Sequence, residues 1–380
     1  INAVSKSGGN EFSGGAYYIF RNDDMVGDLV DNRGRPLAFT LVDETTSGVF
    51  LGGPLLKDRL FFFAGYEEFK RTSRGSDNGI AGSGALNEFR VTQAQIEQIR
   101  QGAAARGVAD IGSFDPVEEF DNTDEKWFVK LDANIGDSHR ATLRYNKTDG
   151  TELQSGSNRS TLRASSNFFN SNIIFENWAA LLYSDWTDNF STEANVSFST
   201  YDSRPTSFSN FSQVQVTVPN GDVPGASANG NAFVTFGQER SRQANVLGVD
   251  TLTGYFAGNL FLGDHEIKFG VDYENSDVYN LFLQDVVGNY EYTLANWINP
   301  AGQPSRYRLQ LPLVGPGGTR LPIDTVAAQF DVGSIGVFVQ DTWSVDYNLT
   351  LVYGLRADQT QVGSLPAANA GFRSVFGIDN

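Results

Sequence analysis

Residues 189–202, with the sequence NFSTEANVSFSTYD, alternate strictly between two kinds of side chain. One set is apolar or carries a methyl group: Phe190, Thr192, Ala194, Val196, Phe198 and Thr200. The other set is polar: Ser191, Glu193, Asn195, Ser197 and Ser199. Because successive side chains of a β-strand point to opposite faces of its sheet, this stretch predicts a strand with one apolar and one polar face.

The same alternation recurs along the chain and predicts eleven strands in all. It is also clear in the segments 125–135, 139–149 and 265–275. Weaker candidates are the segments 14–22, 46–56, 60–72, 172–184, 245–262, 333–344 and 348–359. Many of these segments reach the length of about 9–11 residues that a tilted strand needs to cross a bilayer.

The connections between the eleven segments alternate between short and long. Tight turns are predicted at residues 57–58, 136–138, 185–188, 263–264 and 345–347. Long connections occupy residues 23–45, 73–124, 150–171, 203–244 and 284–332. This order places all long loops at one end of the strands, as in barrels with short periplasmic turns and long extracellular loops. The sequence therefore predicts an all-β fold, an antiparallel transmembrane β-barrel of which about eleven strands are present.

The composition excludes several other classes of protein. The 380 residues include 45 acidic and 28 basic ones, for a formal net charge of −17, which argues against a nucleic-acid partner. The chain has no cysteine and two histidines, so thiolate metal sites and cysteine nucleophiles are excluded. No run of about 18 apolar residues exists, which excludes a transmembrane helix. With 40% hydrophobic residues, the chain is expected to fold.

The long connections contain residues that are typical of loops, and negative charge is concentrated in them. Connection 73–124 contains one predicted helix, at about 93–106, where Thr92 and Gln95 form a capping box and Gly107 can end the helix. Prolines and glycines fill stretches such as 300–322. No signal peptide is visible at the start of the chain, which begins at Ile1.

Motifs for chemistry are nearly absent. Asp121, Thr123 and Glu125 place oxygen atoms at alternate positions, but the glycine and the bidentate glutamate of a calcium loop are missing. The adjacent acidic pairs of the chain are interpreted as solvated charge, and His139 and His265 as turn residues. The sequence therefore predicts no enzyme activity, no cofactor and no metal site.

Four stretches carry a family resemblance. INAVSKSGGNEFSGGAYYIFRND (1–23) resembles the junction at which the plug of a TonB-dependent outer-membrane receptor passes into its barrel, in the Oar-like branch. GGPLLKDRLFFFAGYE (52–67) is similar to the second and third barrel strands of that branch. FDNTDEKWFVKLD (120–132) resembles a later strand, and GVFVQDTW (336–343) with LTLVYGLR (349–356) a further hairpin.

The resemblance implies a barrel of 22 strands with an internal plug, located in the outer membrane of a Gram-negative bacterium. It divides the chain into the end of the plug, residues 1–13, and the first half of the barrel, residues 14–380. The barrel is therefore expected to be incomplete, because eleven strands alone would leave two open edges. The segment that would contact TonB is expected upstream, so energy coupling is implied and not visible.

The expected function is energy-coupled uptake or passage of an unidentified ligand. The implied partners are the TonB energy-transducing complex, outer-membrane lipid and lipopolysaccharide, and an unknown extracellular ligand. Charged residues on the polar strand faces are predicted to line the lumen and contact the plug: Lys130, Asp132, Arg144, Glu193, Lys268 and Asp272.

Two alternatives remain open on the sequence alone. A secreted soluble β-rich protein, such as an adhesin or a glycan-binding module, would use its aromatic residues to stack on sugars. Such a module needs polar outward faces, whereas a barrel needs an apolar band about 25 Å tall. An outer-membrane enzyme would need a catalytic constellation, which the sequence lacks.

Overall fold

A computed structural model of the chain describes residues 5–27, 41–74, 78–85, 87–115, 119–156, 160–219, 230–314, 318–364 and 370–377. Its strands are numbered in chain order. The long ones are β1 Ser13–Asn22, β2 Leu41–Leu56, β3 Leu60–Arg74, β6 Glu119–Ile135, β7 His139–Gln154, β9 Phe169–Thr187, β10 Phe190–Ser203, β14 Asn245–Leu262, β15 His265–Phe282, β20 Ala328–Asp346 and β21 Leu349–Val362. The short ones are β4 Asn78–Gly79, β5 Asn87–Glu88, β8 Thr161–Arg163, β11 Thr206–Ser207, β12 Gln213–Pro219, β13 Asn231–Phe236, β16 Asn289–Thr293, β17 Arg306–Arg308, β18 Leu313–Val314 and β19 Thr319–Arg320. The helices are α1 Gln93–Ala104, α2 Leu294–Ile298 and α3 Ala370–Phe376.

The eleven long strands form one antiparallel sheet in the order β1-β2-β3-β6-β7-β9-β10-β14-β15-β20-β21, which we call the main sheet. Each strand pairs with the long strand before it, and the short β11 adds to β9. All eleven predicted strands are confirmed, as is the antiparallel architecture. The strands run from 10 residues in β1 to 19 in β9 and β20, so most extend beyond the predicted segments at the long-loop end.

Cross-strand register divides the main sheet into two unlike faces. The face that carries Lys130, Arg144 and Glu193 is called the polar face. The opposite face, called the apolar face, exposes large hydrophobic side chains on successive strands: Trp127, Val129, Leu143, Trp178, Val196, Phe198, Phe256, Phe269, Val337 and Leu351. A soluble module would cover or replace such a continuous apolar surface, so the pattern favours a lipid-facing wall.

The long connections are folded, which the sequence did not predict beyond one helix. Strands from three of them form a second sheet, called the loop sheet, in the order β17-β16-β12-β13-β8. Its pairings are mixed, since β12 with β16 and β13 with β8 are parallel. Its strands are three to seven residues long, much shorter than those of the main sheet. Part of the predicted connection 23–45, at residues 28–40, lies outside the described residues, as do residues 1–4 of the predicted plug end.

The largest buried apolar cluster of the described residues lies in these connections and not in the main sheet. It joins α1, α2 and the loop sheet around Trp297, Ile99 and Phe236. The predicted helix is confirmed at α1, where the Thr92 side chain accepts from the Gln95 backbone and the Gln95 side chain accepts from the Thr92 backbone. We call this packed assembly of loop sheet, α1 and α2 the loop unit. None of the helices in the described part of the chain is long and apolar enough to cross a membrane.

Candidate functional site

All six residues predicted to line the lumen lie on the polar face of the main sheet. Lys130 pairs directly with Arg144 across β6 and β7, and Asp132 is two positions from Lys130. Glu193 pairs with Ala257, and Ala257 pairs with Gly270, which lies midway between Lys268 and Asp272. The structure thus brings the six residues to one surface. That this surface borders the lumen stays a prediction.

Ion pairs connect these residues within and across strands. The Lys268 ammonium lies 2.5 Å from a carboxylate oxygen of Glu193, which also accepts from the Tyr255 hydroxyl at 3.1 Å. The Lys130 ammonium lies 3.5 Å from Asp132. Most of these groups keep part of their surface exposed, so the pairs contribute little net stability and act mainly to fix side-chain positions.

Several polar atoms of the described polar face are buried without a hydrogen-bond partner. They include one carboxylate oxygen of Asp132, the Nε atom of Arg144 and the amide oxygen of Asn195. Buried polar atoms in proteins nearly always have partners. The polar face between β6 and β10 is therefore suited to receive further polar groups from whatever lies against it.

Sequence reasoning missed further charged residues of the polar face. Arg356 of β21 forms a two-point ion pair with Asp272 of β15, at 2.6 and 2.8 Å. Glu67 of β3 accepts from Tyr17 of β1 at 2.6 Å and from Lys126 of β6 at 3.0 Å. Arg356 lies in a segment whose alternation was visible in the sequence, whereas alternation did not orient the segment 60–72 that contains Glu67. The strand register that joins these residues to their partners was not visible either.

The chain that precedes β1 also lies on the polar face. The Lys130 ammonium donates to the Ser7 hydroxyl at 2.8 Å, and the Lys6 ammonium lies 4.6 Å from the ring centroid of Phe50. Residues 5–10 therefore line the same surface as the six predicted residues.

Aromatic pairs mark both ends of the apolar face. Towards the long loops, Trp127 lies 4.5 Å from Tyr66, and Trp178 lies 4.5 Å from Tyr145, between ring centroids. Towards the tight turns, each histidine contacts a tryptophan. The ring centroids lie 5.0 Å apart for His139 with Trp186 and 5.4 Å apart for His265 with Trp343. Two aromatic belts are typical of membrane barrels.

One charged residue interrupts the apolar face near a tight turn. Asp341 accepts a hydrogen bond from the Tyr353 hydroxyl at 2.7 Å, and its carboxylate lies 2.7 Å from Nδ1 of His265. These partners compensate the charge at the level of the belt, where the cost of a charge facing lipid is about 0–1 kcal/mol.

The loop unit is held by one arginine, and a buried ion pair lies beside it, between the start of β14 and the end of β15. The Arg106 guanidinium lies 4.4 Å from the ring centroid of Trp297 and donates to the backbone oxygens of Gly102 and Trp297. Arg240 forms a two-point pair with Asp285 at 2.9 and 2.6 Å, and Asp285 is fully buried. Together these contacts join connections that are far apart in sequence.

Within the described residues, no group of three or more metal-binding side chains could hold an ion. Asp121, part of the calcium-like spacing, is instead bound to Lys70 at 2.7 Å and to Thr72 at 2.7 Å.

Comparison with protein families gives one match that spans nearly the whole chain. Residues 4–87 and 91–369 match the family described as "Outer membrane beta barrel domain". A stretch of 70 residues is 37% identical to the TonB-dependent transporter Oar of Myxococcus xanthus, and the match covers 17% of this chain and 7% of that protein.

Two solved structures share the fold. The outer membrane transporter YddB from Escherichia coli aligns with a TM-score of 0.56 and 12% identity over 93% of this chain and 40% of its own. A mutant of the ferric enterobactin receptor from Pseudomonas aeruginosa aligns with a TM-score of 0.51 and 14% identity over 94% of this chain and 40% of its own. The chain thus spans about 40% of the length of these structures.

Proposed function

The chain belongs to the outer membrane β-barrel domain family, and we propose that it is the first half of the barrel of a TonB-dependent receptor that moves a ligand across the outer membrane. It is located in the outer membrane of a Gram-negative bacterium and is related to TonB-dependent transporters. The relatives named above are transporters and receptors, and we propose that this chain likewise contributes no covalent chemistry.

The division of polar and apolar side chains between the two faces of the main sheet supports this proposal best. In a barrel, the apolar face contacts lipid and the polar face borders the lumen. Lys130, Asp132, Arg144, Glu193, Lys268 and Asp272 would then line the lumen. The unpaired polar atoms of this face would contact a plug.

The position of residues 5–10 supports the same orientation. A plug lies inside its barrel, so the chain that leaves the plug must approach the first strand from the lumen. Residues 5–10 lie on the polar face, in contact with Lys130 and Phe50. We propose that residues 1–13 are the end of the plug and that residues 14–380 belong to the barrel.

The edges of the main sheet support a larger barrel. Among the described residues, the outer edges of β1 and β21 pair with no other strand. Unpaired backbone groups are not tolerated in the hydrocarbon region. We propose that further strands of the full-length protein close the barrel between β21 and β1.

The loop unit would be the outer surface that an extracellular ligand meets first. Its packed core around Trp297 gives a preformed surface and not a set of independent loops. We propose that the ligand is captured there and that TonB, acting from the periplasm, drives its passage.

Crosslinking in cells tests the energy coupling. The full-length protein, expressed in its own bacterium, is treated with formaldehyde, and its complexes are identified after outer-membrane isolation. A crosslink to TonB that disappears when TonB is deleted is expected. Recovery of the protein in the soluble secreted fraction, with no TonB crosslink, would overturn the proposal in favour of an adhesin or glycan-binding module.

A further inference from the structure

The residues before β1 follow a defined path along the polar face. Lys6 lies over Phe50, a residue of β2 that pairs with Gly65 well above the tight turn between β2 and β3. Ser7 accepts from Lys130, which pairs with Phe63, nearer to that turn. Asn10 reaches the turn itself at Asp58. The chain therefore runs along the polar face towards the turn between β2 and β3 and then reverses direction into β1.

Asn10 and Asp58 form a reciprocal pair of hydrogen bonds. The Asn10 amide nitrogen donates to the Asp58 carboxylate at 2.5 Å, and the Asp58 backbone N–H donates to the Asn10 amide oxygen at 2.7 Å. Asp58 has a φ of 64°, so the turn holds this residue in a left-handed conformation. The pair ties the descending segment to the tightest point of the β2–β3 hairpin.

At Gly8 the backbone of the segment packs directly against the backbones of β2 and β3. A Cβ atom on Gly8 would lie 2.2 Å from the carbonyl oxygen of Phe62 and 2.9 Å from that of Gly53. These are backbone atoms of paired strands, which cannot move aside. Any side chain at position 8 would therefore displace the segment from the polar face. A Cβ atom on Gly9, in contrast, would meet nothing within 4 Å.

A cavity of about 330 Å³ opens beside the upper end of this segment. It is lined by Lys6 and by polar-face residues of β1, β2, β3 and β6, among them Tyr17, Phe50, Glu67 and Lys126. Residues 7–10 thus contact the main sheet closely, whereas there is open space next to Lys6.

We propose that residues 7–10 are a fixed anchor that holds the end of the plug to the barrel wall, and that the plug moves about a pivot at or before Lys6. This inference rests on the proposed function, because it requires a plug upstream. The anchor keeps position 10 against position 58 in every state of transport. Force applied to the plug then displaces the chain beside the cavity and leaves the β2–β3 hairpin undisturbed.

The test uses a cysteine pair in the full-length receptor in cells. Residues 1–380 contain no native cysteine, so Asn10→Cys with Asp58→Cys introduces the only two thiols among these residues. The Gly8 contacts and the Ser7–Lys130 hydrogen bond remain in that variant. The yield of crosslink between the thiols is measured with the inner-membrane proton gradient present and after its collapse. Asn10→Cys with Asp264→Cys, at the tight turn between β14 and β15, is the control that should not crosslink.

The anchor predicts a high yield with a ratio of about one between the two energy states. A yield several-fold lower in energised cells than in cells without the gradient would overturn it. A second measurement does not depend on energy. Gly8→Val should lower the crosslink yield several-fold and Gly9→Val should leave it unchanged, whereas equal yields in both variants would overturn the anchor.

These outcomes are distinguishable from failure of the proposed function. If the TonB crosslink is absent, the energy coupling fails, yet the comparison of Gly8→Val with Gly9→Val still tests the contact. If the TonB crosslink is present and the crosslink yield between positions 10 and 58 depends on energy, the function stands and the anchor fails.

Discussion

The Arg356 side chain reaches across β20 to Asp272, two strands away, and contacts both of its carboxylate oxygens at 2.6 and 2.8 Å. It can do so because the residue between them on β20 is Gly336, which pairs with Asp272 on one side and Asp358 on the other. A Cβ atom at Gly336 would lie 2.2 Å from Nη2 of Arg356. The ion pair between Arg356 and Asp272 thus depends on the absence of a side chain at Gly336 as much as on the two charges.

Gly336→Ala is expected to separate Arg356 from Asp272 without unfolding the sheet, because the flexible guanidinium can move aside. The measurement is a double-mutant cycle between Arg356→Gln and Asp272→Asn, from denaturant unfolding of the full-length protein. Coupling between the two residues is expected in the natural chain and should vanish in the Gly336→Ala background. Gly254→Ala, where the new Cβ meets Tyr273 at 3.9 Å, is the matched control. Undiminished coupling in the Gly336→Ala background would contradict this account.

Trp297→Ala is expected to unfold the loop unit and spare the main sheet. Trp297 is 2% exposed, and its indole N–H donates to the Ile99 carbonyl at 2.8 Å, so truncation leaves a cavity and removes the donor from that carbonyl. Such a change costs about 3–5 kcal/mol. Because every 1.4 kcal/mol is about tenfold, hydrogen exchange should rise by about 100-fold or more in α1, β12 and β13 and stay unchanged in β10 and β14. Trp186→Ala, on the apolar face, should leave the loop unit protected, and equal exchange in both variants would contradict the prediction.

The main sheet could be predicted from the sequence and the loop sheet could not, for one physical reason. A long strand with unlike faces repeats its alternation many times, as in 189–202, so its period is readable without its partners. The strands of the loop sheet are only three to seven residues long. Too few side chains alternate there to show a period.

Contacts between residues far apart in the chain could not be predicted from the sequence either. The six charged residues could be assigned to polar faces, but their partners follow from register: Arg356 lies 84 positions from Asp272. Trp297 lies 198 positions from Ile99, and nothing in the local sequence marks it as a core residue. The helix α1 was predictable because its capping box is local.

Asp285→Asn is expected to destabilise the junction between the loop unit and strands β14 and β15 through loss of charge alone. Asp285 is fully buried, has a φ of 60°, and pairs with Arg240, and asparagine tolerates the same left-handed backbone. Breaking a buried ion pair from one side costs about 3 kcal/mol here, at the low end of the usual range because the Arg240 side chain keeps 30% exposure. Asp285→Ala adds backbone strain and should cost more. Denaturant unfolding followed by tryptophan fluorescence measures the free energy of unfolding of both variants. An alanine variant as stable as the asparagine variant would show that the backbone at position 285 is unstrained.

Acid is expected to loosen the turn at residues 81–85. The backbone N–H groups of Gly82 and Gly84 donate to the Glu88 carboxylate at 3.1 and 2.8 Å, and they hold the pKa of Glu88 below its ordinary range. A carboxyl whose folded pKa is lowered stabilises the fold above its ordinary pKa, and that contribution is lost as the pH falls through the lowered value.

Hydrogen exchange of residues 78–85, corrected for intrinsic rates, measures this loss as the pH is lowered from neutral to below the lowered pKa of Glu88. Glu88→Gln should exchange faster than the natural chain at neutral pH and should match it at the acidic end. A difference between the two chains that persists at the acidic end would assign the effect to something other than the Glu88 charge.

The proposed orientation of the main sheet, with its apolar face towards lipid, can be tested on β10. Single cysteines are placed at Asn195, Val196, Ser197 and Phe198 of the full-length protein, labelled with a nitroxide, and reconstituted in lipid bilayers. Collision with oxygen, which concentrates in lipid, and with a water-soluble nickel complex is then measured at each position. We expect strict alternation, with collision with oxygen favoured at Val196 and Phe198 and collision with nickel favoured at Asn195 and Ser197. Equal nickel access at all four positions, or the reverse order, would contradict it.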